Sequence, residues 1–194
     1  NGAMRFFHQY SDDIIILGSS ESGLYLLKYN DPGKHYIVRN LTSGVNNQIA
    51  DNRIKFIHRD SGNNVWIGTQ KGMSFISGNS VSKSDPEIIH KYGDLSFTSV
   101  CETTGEIWFG TEDKGIFSYD KLTGVTRMIT VKTNPGFRSD GITHLYHART
   151  GAVIAGFRYN GLMITQNSGK EWHDVRFHSR NLDKIYEDRQ DQLW

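Results

Sequence analysis

The residues best suited to chemistry are eight histidines, a single cysteine and the carboxylates, and their spacing limits what they can do. His144 and His147 stand three apart in the alternating segment GITHLYH. On an extended strand such a pair points to opposite faces, so it cannot share a metal ion without a bulge. His173 and His178, five apart, fail the same test. Asp12-Asp13 and Asp60 fall in turn-like sequence, where an aspartate stabilises the turn through its own side chain. Cys101 sits in SFTSVCE, an alternating apolar stretch without an identifiable partner base, and reads as a core thiol. There is no GxSxG elbow, HExxH pair or glycine-rich phosphate loop. Asn40-Leu41-Thr42 fits a glycosylation sequon. No catalytic residue, metal site or cofactor is expected, so the chain reads as one that binds rather than catalyses.

The totals narrow the partners. The 194 residues carry 22 basic and 21 acidic side chains, a formal charge of +1, with no long run of either sign. Nucleic-acid binding needs a basic stripe, and none is visible. One cysteine permits no intrachain disulfide. No stretch approaches 18 apolar residues, so this segment is not expected to insert into a membrane. The start, NGAMRFF, lacks the shape of a signal peptide, which leaves the compartment open because mature chains have lost theirs.

What must position any binding residues is a repeat. IILGS at 15–19, VWIGT at 65–69, IWFGT at 107–111 and VIAGF at 153–157 share one pattern, and the chain reaches Leu193-Trp194 as the beginning of a fifth copy. Their second positions, Ile16, Trp66, Trp108, Ile154 and Trp194, are spaced by 50, 42, 46 and 40 residues. Periods near ~45 belong to propeller blades of four strands. A polar link and a Gly-apolar pair follow each core: Gly23-Leu24, Gly72-Met73, Gly115-Ile116 and Gly161-Leu162. Alternating segments precede the later copies (RIKFIHR, LSFTSVCE, GITHLYH, NLDKIYE), and a fourth segment closes each unit (KHYIVRN, EIIHKY, VTRMITV, EWHDVRF). Helical periodicity is absent. The fold class expected is all-β, a β-propeller fragment of about four four-stranded blades plus the start of a fifth. The blades fall at about 5–40, 41–93, 94–136 and 137–179, with the fifth starting near 180–194. Four blades with a strand cut at Trp194 lead to the expectation that the natural chain continues.

In a propeller, the link entering a blade's first strand and the turn between its second and third strands lie on one rim, where loops on a rigid scaffold build binding surfaces. The candidates there are Arg53, Lys71, Glu112, Lys114, Phe137, Arg138, Asp140, Arg158, Tyr159 and Asn160. Arg158-Tyr159-Asn160 and Phe137-Arg138 bring aromatic rings beside cations and an amide, a set suited to stacking on a sugar and holding its hydroxyls or an acidic group.

IKFIHRDSGNNVWIGTQKGM, from Ile54 to Met73, nearly spells the two-component regulator propeller repeat, and SVCETTGEIWFGTEDKGIFSYD resembles it too. The first and fourth copies keep the scaffold but carry Ile16 and Ile154 where the repeat has tryptophan. The resemblance extends over the whole chain. It implies the periplasmic or extracytoplasmic sensor region of a hybrid histidine kinase from Bacteroidetes, anchored in the inner membrane by a helix beyond this segment. On that resemblance the function is sensing of a glycan-derived ligand and control of polysaccharide-use genes. The partners are then an oligosaccharide or other small ligand, the remaining blades of the same chain, and a second copy in a homodimer. Two alternatives stay open. TQNSGKEW at 165–172 is similar to the Asp-box hairpin of glycan-active propellers, with Asn167 and Glu171 at its aspartate and threonine positions, which leaves a secreted glycan-active enzyme. The other is a propeller that serves as a protein-interaction platform.

Overall fold

The computed structural model describes residues 2–30, 35–44, 48–158, 161–175, 184–192 and 194, without the side chains of residues 30 and 35. The chain divides into two compact units, Asn1–Phe97 and Thr98–Trp194. In unit 1, β1 (Met4–Gln9), β2 (Ile14–Ser19), β3 (Leu24–Asn30) and β4 (His35–Leu41) form one antiparallel sheet in chain order. A second sheet follows in the same order: β5 (Ile54–Arg59), β6 (Val65–Thr69), β7 (Gly72–Ile76) and β8 (Ile88–Lys91). A single helical turn, α1 (Gly78–Val81), interrupts the path from β7 to β8. Four residues are too few to leave a helical period in the sequence. The third sheet holds β9 (Phe97–Glu102), β10 (Glu106–Thr111), β11 (Ile116–Asp120) and β12 (Thr126–Ile129). The fourth holds β13 (Ile142–His147), β14 (Val153–Phe157), β15 (Gly161–Thr165) and β16 (His173–Val175).

Each sheet is a blade, and its second strand is the buried one. Every residue of β6 and β14 is buried, as are all but the first of β10. Continuous apolar runs such as VWI and IWF are what a strand covered on both faces requires. Neighbouring blades pack closely because these strands carry glycine. A Cβ on Gly18 would lie 2.8 Å from Ile54 Cγ2, and one on Gly110 would lie 2.7 Å from Ile142 Cγ2. The first strand of the next blade therefore rests directly on the second strand of the one before, within unit 1 and within unit 2 alike.

The tryptophans are fixed through the turn that precedes them. Trp66 Nε1 donates to Asp60 Oδ2 at 2.8 Å, while Asp60 Oδ1 accepts the Asn64 amide at 2.8 Å. Near the end of the chain the same clasp recurs: Trp194 Nε1 donates to Asp188 Oδ2 and the Gln192 amide to Asp188 Oδ1, both at 3.0 Å. Tyr186 and Trp194 also exchange two backbone bonds, of 3.0 and 2.7 Å. In the third blade the indole of Trp108 instead reaches Glu106 Oε2, at 2.9 Å.

The chemistry-bearing residues take up structural places. Burial pushes the Cys101 thiol up in pKa, far from thiolate formation at neutral pH. His144 pairs with Gly156 and His147 with Val153 across β13 and β14. No group of three His, Cys, Asp or Glu side chains able to hold a metal occurs among the described residues. His178 lies outside the described residues. No described helix is long and apolar enough to cross a membrane.

Candidate functional site

The turn between the second and third strands is built by the last residue of the repeat core. Ser19, Thr69 and Thr111 are fully buried there. Thr69 Oγ1 donates to Gly72 O and Thr111 Oγ1 to Gly115 O, each at 2.7 Å, and the same hydroxyls accept the Lys71 and Lys114 amides. Gly115, at φ +75°, has no room for a side chain, because a Cβ would sit 2.2 Å from Ile129 O. Its amide donates to Asp140 O at 2.8 Å, as Gly23 donates to Asn52 O at 3.0 Å in unit 1. The turn of one blade is thereby pinned to the link that enters the next, and both stand at one end of the blades.

The fourth blade departs from this plan. Phe157 occupies the position that Ser19, Thr69 and Thr111 hold in the other blades. The Phe157 ring packs edge-on against Phe137 (5.2 Å, 71°), and Phe137 meets Trp172 at 4.9 Å. Phe137 is only 2% exposed. Its expected role as a stacking surface for a sugar is therefore corrected. It anchors the link entering the fourth blade by burying its ring against Phe157 and Trp172.

The remaining unit 2 candidates gather at this end. Arg158 Nη2 lies 3.1 Å from Glu112 Oε1, joining the turns of the third and fourth blades, with side chains 57% and 44% exposed. Arg138 pairs with Asp174 of β16 and borders Gly161. Lys114 pairs with its neighbour Asp113 at 3.2 Å. Asp140 Oδ1 accepts the Val131 amide at 2.8 Å, so this carboxylate holds the link together. Sequence reasoning missed Asp174, which lies far along the chain on an outer strand. Tyr159 and Asn160 lie outside the described residues. Arg53 and Lys71 belong to unit 1, where Arg53 is held by Asp51 at 3.2 Å and its carbonyl accepts the Gln70 amide.

Chemically, the rim of unit 2 offers two guanidinium groups from adjacent segments, Arg158 paired with Glu112 and Arg138 with Asp174. Two wider grooves lie elsewhere. One, of about 440 Å³, is lined by Ile164, Gln166, Asn167, Glu171 and His173 beside the Asp-box-like turn. There Asn167 Oδ1 accepts the Thr165 hydroxyl and the Glu171 amide, and its amide nitrogen donates to the Glu171 carboxylate. All three bonds stay within the turn, which is the work of a turn element. The other, of about 480 Å³, lies in unit 1 and includes Tyr10, Arg59, Asn63 and Asn79.

No protein-family model and no curated protein matches the chain. Solved structures do. The extracellular domain of BT4673 from B. thetaiotaomicron, a candidate one-component system, superposes with a TM-score of 0.82 at 17% identity, covering 100% of this chain and 28% of that one. The extracellular domain of the candidate hybrid two-component system BT3049 from the same organism gives 0.74 at 20% identity, covering 100% and 27%. The β-propeller domain of Cps50 (Swd1) from Myceliophteria thermophila gives 0.54 at 11% identity, covering 84% and 50%. The fold class is thus that of a β-propeller, and the chain spans about a quarter of the length of the two bacterial structures.

Proposed function

We propose that this chain is part of the extracytoplasmic sensor propeller of a two-component histidine kinase, and that the rim of unit 2 binds a glycan-derived ligand whose capture controls polysaccharide-use genes. The observation that carries this reading is the likeness, over 100% of the chain and at a TM-score of 0.82, to an extracellular domain of a bacterial signalling system. The repeat wording from Ile54 to Met73 supports it.

The rim chemistry suits the ligand class. Exposed ion pairs contribute only about 0–1 kcal/mol, so the carboxylates of Glu112 and Asp174 hold Arg158 and Arg138 in place without holding them tightly. A sugar's hydroxyl, or its acidic group, exchanges with those carboxylates at little cost. Planar guanidinium forks give such oxygens paired, directional donors. The test is calorimetric titration of the chain with a panel of oligosaccharides, alongside the R138Q/R158Q variant. The reading expects at least one oligosaccharide to bind and the double variant to weaken it about ten-fold or more. Failure of every oligosaccharide, or equal binding by the variant, would reject the rim of unit 2 as the site.

A further inference from the structure

The first strands of unit 1 share a feature that the fold does not demand. β1 reads MRFFHQ and β5 reads IKFIHR: a cation in second place, phenylalanine in third and histidine in fifth. Between Met4 and Phe6 the register of β1 against β2 shifts by one residue, and between Ile54 and Phe56 that of β5 against β6 shifts in the same way. Arg5 and Lys55 are the residues left out of the ladder. Both are exposed, and Lys55 stands between two buried neighbours. A bulge re-aims the side chain it carries, which is why bulges collect beside functional sites.

The bulge itself needs no cation. The fourth blade has the same register shift between Ile142 and His144, and the residue left out there is Thr143. A neutral hydroxyl side chain thus serves the backbone geometry equally well, and the two cations in adjacent blades are a separate choice. Neither Arg5 nor Lys55 has a carboxylate partner among the described residues. β1 and β5 contain no acidic residue at all; they add His8, His58 and Arg59 instead. The carboxylates at this end of unit 1 stand outside the two strands. Asp51 is held by Arg53, Glu21 lies in the β2–β3 turn, and Asp94 lies in the link after β8. The positive field along the two strands is felt by His8, whose pKa is lowered by burial first and then by Arg59 and His58.

β1 and β5 are neighbours, since Gly18 of β2 receives Ile54 of β5 directly while pairing with Phe6 of β1. Both bulges stand at the same end of their strands. We infer that Arg5 and Lys55 form a binding site for an anionic group, a carboxylate or sulfate, on the first strands of unit 1. Two uncompensated cations on adjacent rigid strands hold an anion through charge-assisted hydrogen bonds, with arginine supplying a planar fork and lysine a point charge.

The test uses the whole 194-residue chain. Four probes are titrated: a trigalacturonate, a sulfated disaccharide, a neutral trisaccharide of galactose and inorganic sulfate. At least one acidic probe should bind, and the neutral sugar should not compete with it. R5Q/K55Q should lose affinity about ten-fold or more, R5K/K55R should keep most of it, and R138Q/R158Q should leave it unchanged. Tighter binding of an acidic saccharide than of sulfate identifies a sugar-borne anion as the ligand; equal binding identifies a simple anion site. The inference is overturned if no acidic probe and no sulfate binds, or if R5Q/K55Q binds them as the wild type does. Because the residues differ from those of the unit 2 rim, either site can fail without the other.

Discussion

Removing the carboxylate of Asp60 should destabilise unit 1 far more than its place in a turn suggests. Asp60 is 6% exposed and Trp66 is 1% exposed. D60A deletes the bond from Trp66 Nε1 (2.8 Å) and that from the Asn64 amide (2.8 Å), and with them both contacts to the Asn64 side-chain nitrogen. The buried indole N–H then loses the carboxylate that accepts it, which costs about 1–3 kcal/mol, and the lost turn bond adds about 1 kcal/mol. The expected loss is roughly 2–4 kcal/mol. D60N, which keeps one carbonyl acceptor, should lose about half as much. The assay is urea denaturation followed by tryptophan fluorescence, with the m-value checked for constancy. D188A is the internal control: it removes the same bond from Trp194, a residue 71% exposed, so water replaces the acceptor and the midpoint should move far less. If D60A lies within about 0.5 kcal/mol of wild type, or D188A costs as much, the clasp is not a burial-dependent device and the reasoning is wrong.

Three further outcomes follow from the same structure. F137A should cost about 3–5 kcal/mol of unit 2 stability, because it empties the space between Phe157 and Trp172; a loss below about 1 kcal/mol in chemical denaturation would return Phe137 to the role of a surface ring. G115A should destabilise by about 2 kcal/mol or more, since it combines a left-handed φ with a clash against the Ile129 carbonyl, and thermal melts should detect it; an unchanged melting temperature would show that the turn can relax. His8 sets a pH dependence. Its folded pKa lies below the ordinary value because burial, and then its electrostatic interactions with Arg59 and His58, disfavour its charged form, so the folded state binds fewer protons than the unfolded one and stability falls as pH drops below about 6.5. H8Q should therefore gain on wild type in urea midpoint as pH is lowered from 7.5 to 5.5, and a pH-independent difference would contradict the assignment.

Much of the scaffold was legible because a strand buried on both faces has little freedom in sequence. VWIGT and IWFGT became β6 and β10, VIAGF became β14, and the alternating segments beside them became the first strands. The Asp-box-like TQNSGKEW was legible as a turn for a related reason, since Asn167 accepts a backbone amide as an aspartate would. The bulges were not legible. Skipping Lys55 leaves the alternation of Ile54 and Phe56 intact in the sequence, and only the register against β6 reveals the extra residue. Phe137 was misplaced because residues in links are taken as solvated; the signal that could have corrected it was Phe157 at a position where the other blades carry Ser19, Thr69 and Thr111. Asp174 escaped notice because its tie to Arg138 spans two elements distant in sequence.

The most direct test of the proposed sensing role is amide hydrogen exchange on the chain with and without each oligosaccharide of the panel. The account predicts that a binding oligosaccharide protects the amides at 112–115, 137–141 and 157–158, the segments that carry Glu112, Arg138 and Arg158 at one end of unit 2. Protection confined to the groove beside Asn167, or no protection from any oligosaccharide, would contradict it.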